Sequence, residues 1–473
     1  MDDIAEGQSL KTTELVGAPI LPKTSRSIWI CLGYGAGQYN TQIFFQLAAS
    51  ILLPFMTNIL AIPVALAGTV IFIPKLLGVI TDTAFGMILD RVSIRLRPWR
   101  PYLIGGGLIV AISQFLVFSP PSSLVGVAAA YYIMPAFILA NIALSAFSVS
   151  YLALGADVAS DPYQRTVIMS WRNSFNSIAS FSGLLAPLVI AYFGSNRLAY
   201  SRMSLIFATI SLTAVLATYL CALNFRKTQY RQTRTTVREM LTLLVRPSFY
   251  RKMLNIYSVQ YFADGVQAGA FTYYILYVVH GKLAIISTVS LCLTIPFLCL
   301  QPLWVYLARR FGKIPTYAFA VTGMSVDALT WGIAGNGEVA IACAAAAGFG
   351  AFFGGFRLLV WSLFLDAVEI DAKETGFSRS GAMSGIWSGI EKASFALGVF
   401  SISQLFQVLG LRSSTELYID QPETAVWAIR IGVSVIPALG FGISAIMIWR
   451  MLMRSTSVKP VNTVGVSAQT PEL

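Results

Sequence analysis

Long apolar runs, each nearly free of charge, recur along the whole chain with short polar breaks between them. They fall at 28–56, 62–89, 102–119, 125–155, 166–195, 202–223, 252–279, 284–308, 314–335, 338–365, 381–410 and 424–452. A helix needs about 20 apolar residues to cross the hydrocarbon of a bilayer. The pattern therefore predicts an all-α polytopic membrane protein with 12 transmembrane helices. The first run also holds Gln38, Asn40, Gln42 and Gln46. A helix facing only lipid would not tolerate that set cheaply, whereas one facing an aqueous cavity would.

The breaks alternate in charge. Arg91, Arg95, Arg97 and Arg100 follow the second run, and Arg309, Arg310 and Lys313 follow the eighth. Between the sixth and seventh lie Arg226, Lys227, Arg231, Arg234, Arg238, Arg246, Arg251 and Lys252. The intervening breaks TNILAIP, SPPSSLV and GNGE carry no Lys or Arg. Basic loops stay on the cytoplasmic side, so both termini are expected in the cytoplasm, as an even number of spans requires. A basic loop after the second helix of each half is the expected trace of two parallel repeats. The predicted organisation is a cytoplasmic tail over 1–27, a six-helix bundle over 28–223, a basic linker over 224–251, a second six-helix bundle over 252–452 and a flexible tail over 453–473.

Composition supports the membrane assignment. The 473 residues are 56% hydrophobic and 11% charged, against about 25% charged in soluble domains. The net charge of +12 is gathered in loops, so it is a topology signal, and no nucleic-acid partner is expected. Cys31, Cys221, Cys292, Cys299 and Cys343 lie inside apolar runs without a CxxC pair, and His280 is the single histidine. These residues do not supply the clustered ligands of a zinc site, and the thiols are expected to pack as small hydrophobes. No cofactor is expected. The first 26 residues lack the apolar core and cleavage site of a signal peptide. No Walker A sequence is present, and neither an ATP-driven pump nor an enzyme is expected.

The sharpest local motif is Gly86-Met87-Ile88-Leu89-Asp90-Arg91. Glycine permits close helix approach, and Asp90 and Arg91 at the membrane edge can latch one conformation. The alternative is a helix end with ordinary topogenic charges. The motif resembles the G-x-x-x-D-R/K loop of the major facilitator superfamily. The run KLLGVITDTAFGMILDRVSIRLRPWRPY resembles the second-helix signature of the glycoside–pentoside–hexuronide:cation symporters, the family of melibiose carriers. SYLALGADVASDPYQRTVIMSWRNSF, RPSFYRKML, YYILYVV, LWVYLARRFGKIPTY, WSLFLDAVEIDAKETGFSRSGAMSG and EKASFALG resemble further stretches of that family, in order from about 30 to 412. The resemblance implies the major facilitator fold, two pseudo-symmetric six-helix bundles that rock about a midplane site.

It also implies where a site would lie. The second helix-two aspartate of the family falls on Asp82 and the helix-eleven lysine on Lys392. Three other carboxylate positions fall on Gln42, Gly78 and Ser148. Asp82 and Lys392 are the expected coupling-ion site and charge partner, or else a static ion pair. Candidate substrate contacts are Gln42, Ser148, Tyr151, Asp264, Gln267 and Arg357, the last able instead to snorkel or to pair with Asp327 or Glu391. Candidate gating residues are Gly86, Asp90, Arg91, Arg165, Arg172 and Asp366. Arg172 equally suits substrate contact, and the acidic run Asp366, Glu369, Asp371 and Glu374 is expected to pair with Arg165, Arg309 or Arg310.

The function expected is secondary transport by alternating access in the inner (plasma) membrane, as a monomer in the lipid bilayer. The resemblance implies a small-molecule substrate of glycoside or sugar type and a coupling proton or sodium ion. Proton is favoured because so few carboxylates remain. The rivals are a carrier of an amphipathic, lipid-like solute, a non-transporting receptor or scaffold, and a membrane enzyme.

Overall fold

The computed structural model describes residues 25–92, 99–158, 162–223, 246, 248–375, 380–415 and 419–456. All twelve apolar runs are helical there. The first half contains α1 (Ser25–Ser50), α2 (Leu52–Asn58), α3 (Val64–Val92), α4 (Trp99–Phe118), α5 (Val127–Val158), α6 (Pro162–Leu184), α7 (Ala186–Tyr192) and α8 (Arg197–Leu223). The second contains α9 (Phe249–Tyr273), a π-helical turn (Tyr274–Val278), α10 (Leu283–Cys299), α11 (Gln301–Phe311), α12 (Lys313–Thr330), α13 (Val339–Thr375), α14 (Ser380–Val408), α15 (Glu423–Val433) and α16 (Val435–Thr456).

Four of the runs are broken once, at Ile51, Leu185, Leu300 and Ser434. A proline follows each break within three residues: Pro54, Pro187, Pro302 and Pro437. Proline has no N–H to donate, and its ring crowds the carbonyl four residues back. At Leu300 the two pieces meet at 44°. By length and composition alone, seven helices among the described residues could cross a membrane, or eight if this bent pair is one span. Helices α1, α9, α12 and α14 are not among them. Many large apolar side chains face outward, such as Ile80, Ile206, Ile333, Leu439 and Ile446, as a lipid-facing surface requires.

Within the first half, α1 packs on α6 and α8, α4 on α5 and α8, and α3 on α5. Within the second, α9 packs on α14 and α16, α10 on α13, and α12 on α13 and α16. Two seams join the halves, α3 with α14 and α7 with α10. The α9–α14 contact depends on two facing glycines. A Cβ at Gly265 would sit 2.2 Å from the Phe395 carbonyl oxygen, and one at Gly398 would sit 2.3 Å from that of Phe262.

The halves are also tied together at the end away from the basic loops. Ala61 N–H donates to Ser414 O (3.0 Å), and Ser414 N–H donates to Thr57 O (2.9 Å). The Thr57 and Tyr273 hydroxyls lie 2.6 Å apart, and the Thr272 hydroxyl donates to Ser50 O (2.9 Å). At the opposite end, Arg100 donates to Ala222 O (2.9 Å) and Leu223 O (3.2 Å). That topogenic arginine thus satisfies carbonyls left open at the end of α8.

Two sequence expectations need correction. The run at 338–365 is part of a longer helix, α13, which continues through the acidic positions to Thr375. At 37 residues it is roughly 55 Å long, well beyond the ~30 Å of a bilayer core. The thiols also do not all pack inside: Cys31 and Cys221 are buried, while Cys299 is exposed.

Candidate functional site

The α3–α14 seam runs antiparallel and changes character along its length. Gln404 Nε2 donates to Ala65 O (3.1 Å). Gly68 then abuts Ser403, and Phe72 stacks on Phe400 with ring centroids 5.1 Å apart. Beyond these close-packed turns comes charge. Lys392 Nζ donates to Asp82 Oδ2, with about a third of each side chain exposed. Asp82 Oδ1 is buried with no hydrogen-bond partner among the described residues. The expected pair is therefore formed, between a helix of each half, and one carboxylate oxygen remains open.

A second polar group lies within the first half. Arg172 Nε on α6 donates to Gln38 Oε1 on α1 (2.8 Å), and Gln38 Nε2 donates to Asn176 Oδ1 (3.0 Å). The guanidinium also lies 5.8 Å from the Tyr151 ring centroid on α5. Tyr151 stacks on Tyr34 and donates to the Tyr34 carbonyl (2.7 Å). One turn further along α1, Gln42 Nε2 donates to Ser180 Oγ (2.9 Å). Ser148 lies half-buried on α5. Polar residues in the first run thus do face polar partners, on α6 and, where Ser211 donates to Asn40, on α8.

A third group surrounds Glu391 on α14. Consecutive helical residues point about 100° apart, so Glu391 and Lys392 address different neighbours. Glu391 Oε2 accepts from the Tyr257 hydroxyl on α9 (2.8 Å). Its other oxygen lies 3.8 Å from Arg357 Nη1 on α13. Of the partners weighed for Arg357, Glu391 is the one present. The same guanidinium lies 5.7 Å from the centroids of Tyr261 and Phe353. Tyr257 stacks on Trp387 at 4.1 Å. Asp264 is half-buried on α9, and Gln267 is buried with Oε1 unpaired among the described residues.

The gating candidates fare unevenly. Gly86, Asp90 and Arg91 lie on the last turns of α3 and Arg165 on α6, but their side chains lie outside the described residues. Asp366 pairs with Lys313 (2.6 and 2.7 Å), and among the described residues it forms no pair with Arg309 or Arg310. Because α13 stays helical, Glu369 pairs with Lys373 one turn on (2.6 Å). Glu374 lies 3.7 Å from Arg246.

The sequence matches the model of the MFS/sugar transport protein family over residues 33–454. The chain belongs to that family. It is 24% identical over 417 residues to YagG of Escherichia coli (strain K12), provisionally named a glycoside/cation symporter, covering 86% of this chain and 88% of YagG. It is 21% identical to the isoprimeverose transporter of Lactiplantibacillus pentosus, covering 87% and 86%. Among solved structures, that of a D-xylose-proton symporter superposes with a TM-score of 0.61 at 14% identity, over 90% of this chain and 96% of that one. The chain is a multi-pass membrane transporter of the symporter type and not an enzyme.

Within the MFS/sugar transport family, a lysine in mid-helix is the residue that sequence reasoning passed over. Lys75 was visible as the first residue of the helix-two signature, eleven residues into α3, yet no role was given to it. It is 7% exposed. Its Nζ has no hydrogen-bond partner among the described residues. The ammonium lies 5.0 Å from the Phe45 centroid on α1 and 4.5 Å from that of Phe395 on α14. Gly78 faces Asn141 of α5. Glu391 and Tyr257 were likewise undervalued, because nothing in the sequence says which helix faces which.

Proposed function

We propose that this chain is a proton-coupled symporter for a glycoside or sugar-like solute in the inner (plasma) membrane, acting as a monomer by alternating access. In this reading twelve spans form two six-helix bundles, 28–223 and 252–452, joined by the basic linker 224–251, with both termini cytoplasmic. The two groups of mutually packed helices and the basic loops support that organisation. The names of the relatives support the solute class.

The observation that carries the coupling proposal is the Asp82–Lys392 pair across the α3–α14 seam. A proton on Asp82 removes the charge that holds Lys392. The freed ammonium then turns to oxygens of the solute, and α3 and α14 can part. Loss of the proton restores the pair once the solute has left. Sodium would need several oxygen ligands at one place, and Gln42, Gly78 and Ser148 stand where the resemblance locates three carboxylates. A single carboxylate with one open oxygen suits a proton. Gln42, Ser148, Tyr151, Asp264, Gln267 and Arg357 are assigned to the solute. Gly86, Asp90, Arg91, Arg165, Arg172 and Asp366 are assigned to the gates.

The test is counterflow of labelled glycosides in proteoliposomes, at two pH values, with and without sodium. Exchange that is sodium-independent and abolished in Lys392→Ala supports the proposal. Wild-type accumulation by both Asp82→Asn and Lys392→Ala would reduce the pair to a structural strut.

A further inference from the structure

Asp264 forms neither a hydrogen bond nor an ion pair with any described residue. It lies near the middle of the helical stretch from Phe249 to Val278. Helices α1, α13, α14, α15 and α16 all pack on α9, so the open side of the half-buried Asp264 faces the interior between helices and not lipid. An ionised, unpaired carboxylate at that depth is costly.

The neighbouring charges do not relieve it. Glu391 on α14 is within electrostatic reach of Asp264 and has the same sign. Arg357 on α13 faces Glu391 at 3.8 Å, and Tyr257 donates to the other Glu391 oxygen at 2.8 Å. Glu391 is thereby held as the anion, and Asp264 is left with repulsion and no counter-charge. From α3, Asp82 engages Lys392, and Lys75 lies between the Phe45 and Phe395 rings. Between Ser27 and Asn58, α1 and α2 carry no charged side chain, and their titratable groups are Cys31, Tyr34 and Tyr39. Glu423 and Arg430 are the charges of α15, and α16 has no ionisable group between Val435 and Trp449. Polar atoms in the same group are also unmatched. The Tyr261 hydroxyl and Gln267 Oε1, each one turn from Asp264, and Trp387 Nε1, stacked against Tyr257, have no partner among the described residues. All three side chains are more than nine-tenths buried. The cluster therefore sets two carboxylates against one guanidinium.

We propose that Asp264 is a second proton-binding site, so that two protons, one on Asp82 and one on Asp264, enter with each solute. This deepens the symport reading and rests on it. An uncharged solute that fills the space beside Asp264 strips water from the carboxylate and brings no charge in return. A proton removes that cost, and the neutral carboxyl donates its O–H to a solute hydroxyl. When the solute leaves, water returns and the proton departs. Solute and proton thus raise each other's affinity. The two carboxylates differ in role. Asp82 governs whether the α3–α14 seam opens, so its loss lets the empty carrier turn over and dissipates the solute gradient. Asp264 lies off that seam, and its loss removes one proton while the control at the seam remains.

The test is the proton-to-solute ratio of the full chain in proteoliposomes, with the membrane potential clamped at zero. The probe is a labelled glycoside that the wild type exchanges in counterflow. One pH unit supports about hundredfold accumulation if two protons move and about tenfold if one does. Wild type is expected to reach about hundredfold, Asp264→Asn about tenfold, and Asp264→Glu, which keeps the carboxyl, about hundredfold again. The single-proton value in wild type, or the two-proton value in Asp264→Asn, overturns the second site. Complete loss of accumulation in a folded Asp264→Asn overturns it as well. If Asp264→Asn does not fold, Asp264→Ser takes its place with the same expected value. Wild-type uptake that ignores the pH gradient sinks the symport reading itself. Wild-type uptake driven by the pH gradient at the single-proton value leaves symport standing and removes only the role of Asp264.

Discussion

Single side chains here are chosen for charge balance in a medium that penalises charge. A lone ion at the bilayer centre costs about 2.5–3.5 kcal/mol on insertion scales, so each retained charge should have an identifiable partner. Glu391 has two, Arg357 and Tyr257. Tyr257→Phe removes one neutral-to-charged hydrogen bond and should cost roughly 1.5–3 kcal/mol, read as a fall in unfolding temperature with the glycoside affinity little changed. Asp82 and Lys392 are about a third exposed, so losing one partner should destabilise by less than the ~3–5 kcal/mol seen for fully buried pairs. Asp82→Asn should keep solute exchange while losing accumulation. A simple strut would lose stability and keep accumulation. Asp82, Lys392 and Arg172 were legible through the resemblance, which fell on charges inside apolar runs. Lys75 stood out equally, but the sequence could not show that its ammonium would lie between Phe45 and Phe395 with nothing to accept its hydrogen bonds.

At the scale of helices, the existence of each element follows from its apolar length, and its interruptions follow from proline. Pro54, Pro187, Pro302 and Pro437 follow the breaks, but Pro74, Pro135 and Pro296 lie inside continuous helices, so proline alone did not say which run would break. The pairing of helices was not readable, because it depends on small residues whose partners lie far away in the chain. The Gly265–Gly398 contact is an example. Gly265→Val would drive a side chain into the Phe395 carbonyl, so little monodisperse protein should be recovered by size-exclusion chromatography. Gly105 on α4 has nothing within 4 Å of a Cβ, and Gly105→Ala should behave as wild type. The hydrogen bonds between Thr57, Ala61 and Ser414 are a second device. In a cysteine-free background, Thr57→Cys with Ser414→Cys should cross-link under mild oxidant, since such backbone proximity suits a disulfide. Transport should stop on cross-linking and return on reduction. Unimpeded transport by the cross-linked protein would show that this end never opens.

For the molecule as a whole, the two packed groups of helices and the closed seam at one end describe one state of a carrier that must have another. The α3–α14 and α7–α10 contacts are where that change would be felt, and Asp82–Lys392 is the charged element on the first of them. The run pattern made an all-helical multi-pass protein legible from the start. The resemblance locates three carboxylates of its family at Gln42, Gly78 and Ser148, and the open oxygen of Asp82 is the ground for proposing a proton. The central claim is met most directly by accumulation of a labelled glycoside in proteoliposomes under an imposed pH gradient, compared with a sodium gradient of equal size. The account predicts uptake driven by the pH gradient, abolished by a protonophore and by Asp82→Asn, with no response to sodium. Uptake driven by sodium alone, or undiminished in Asp82→Asn, would contradict it.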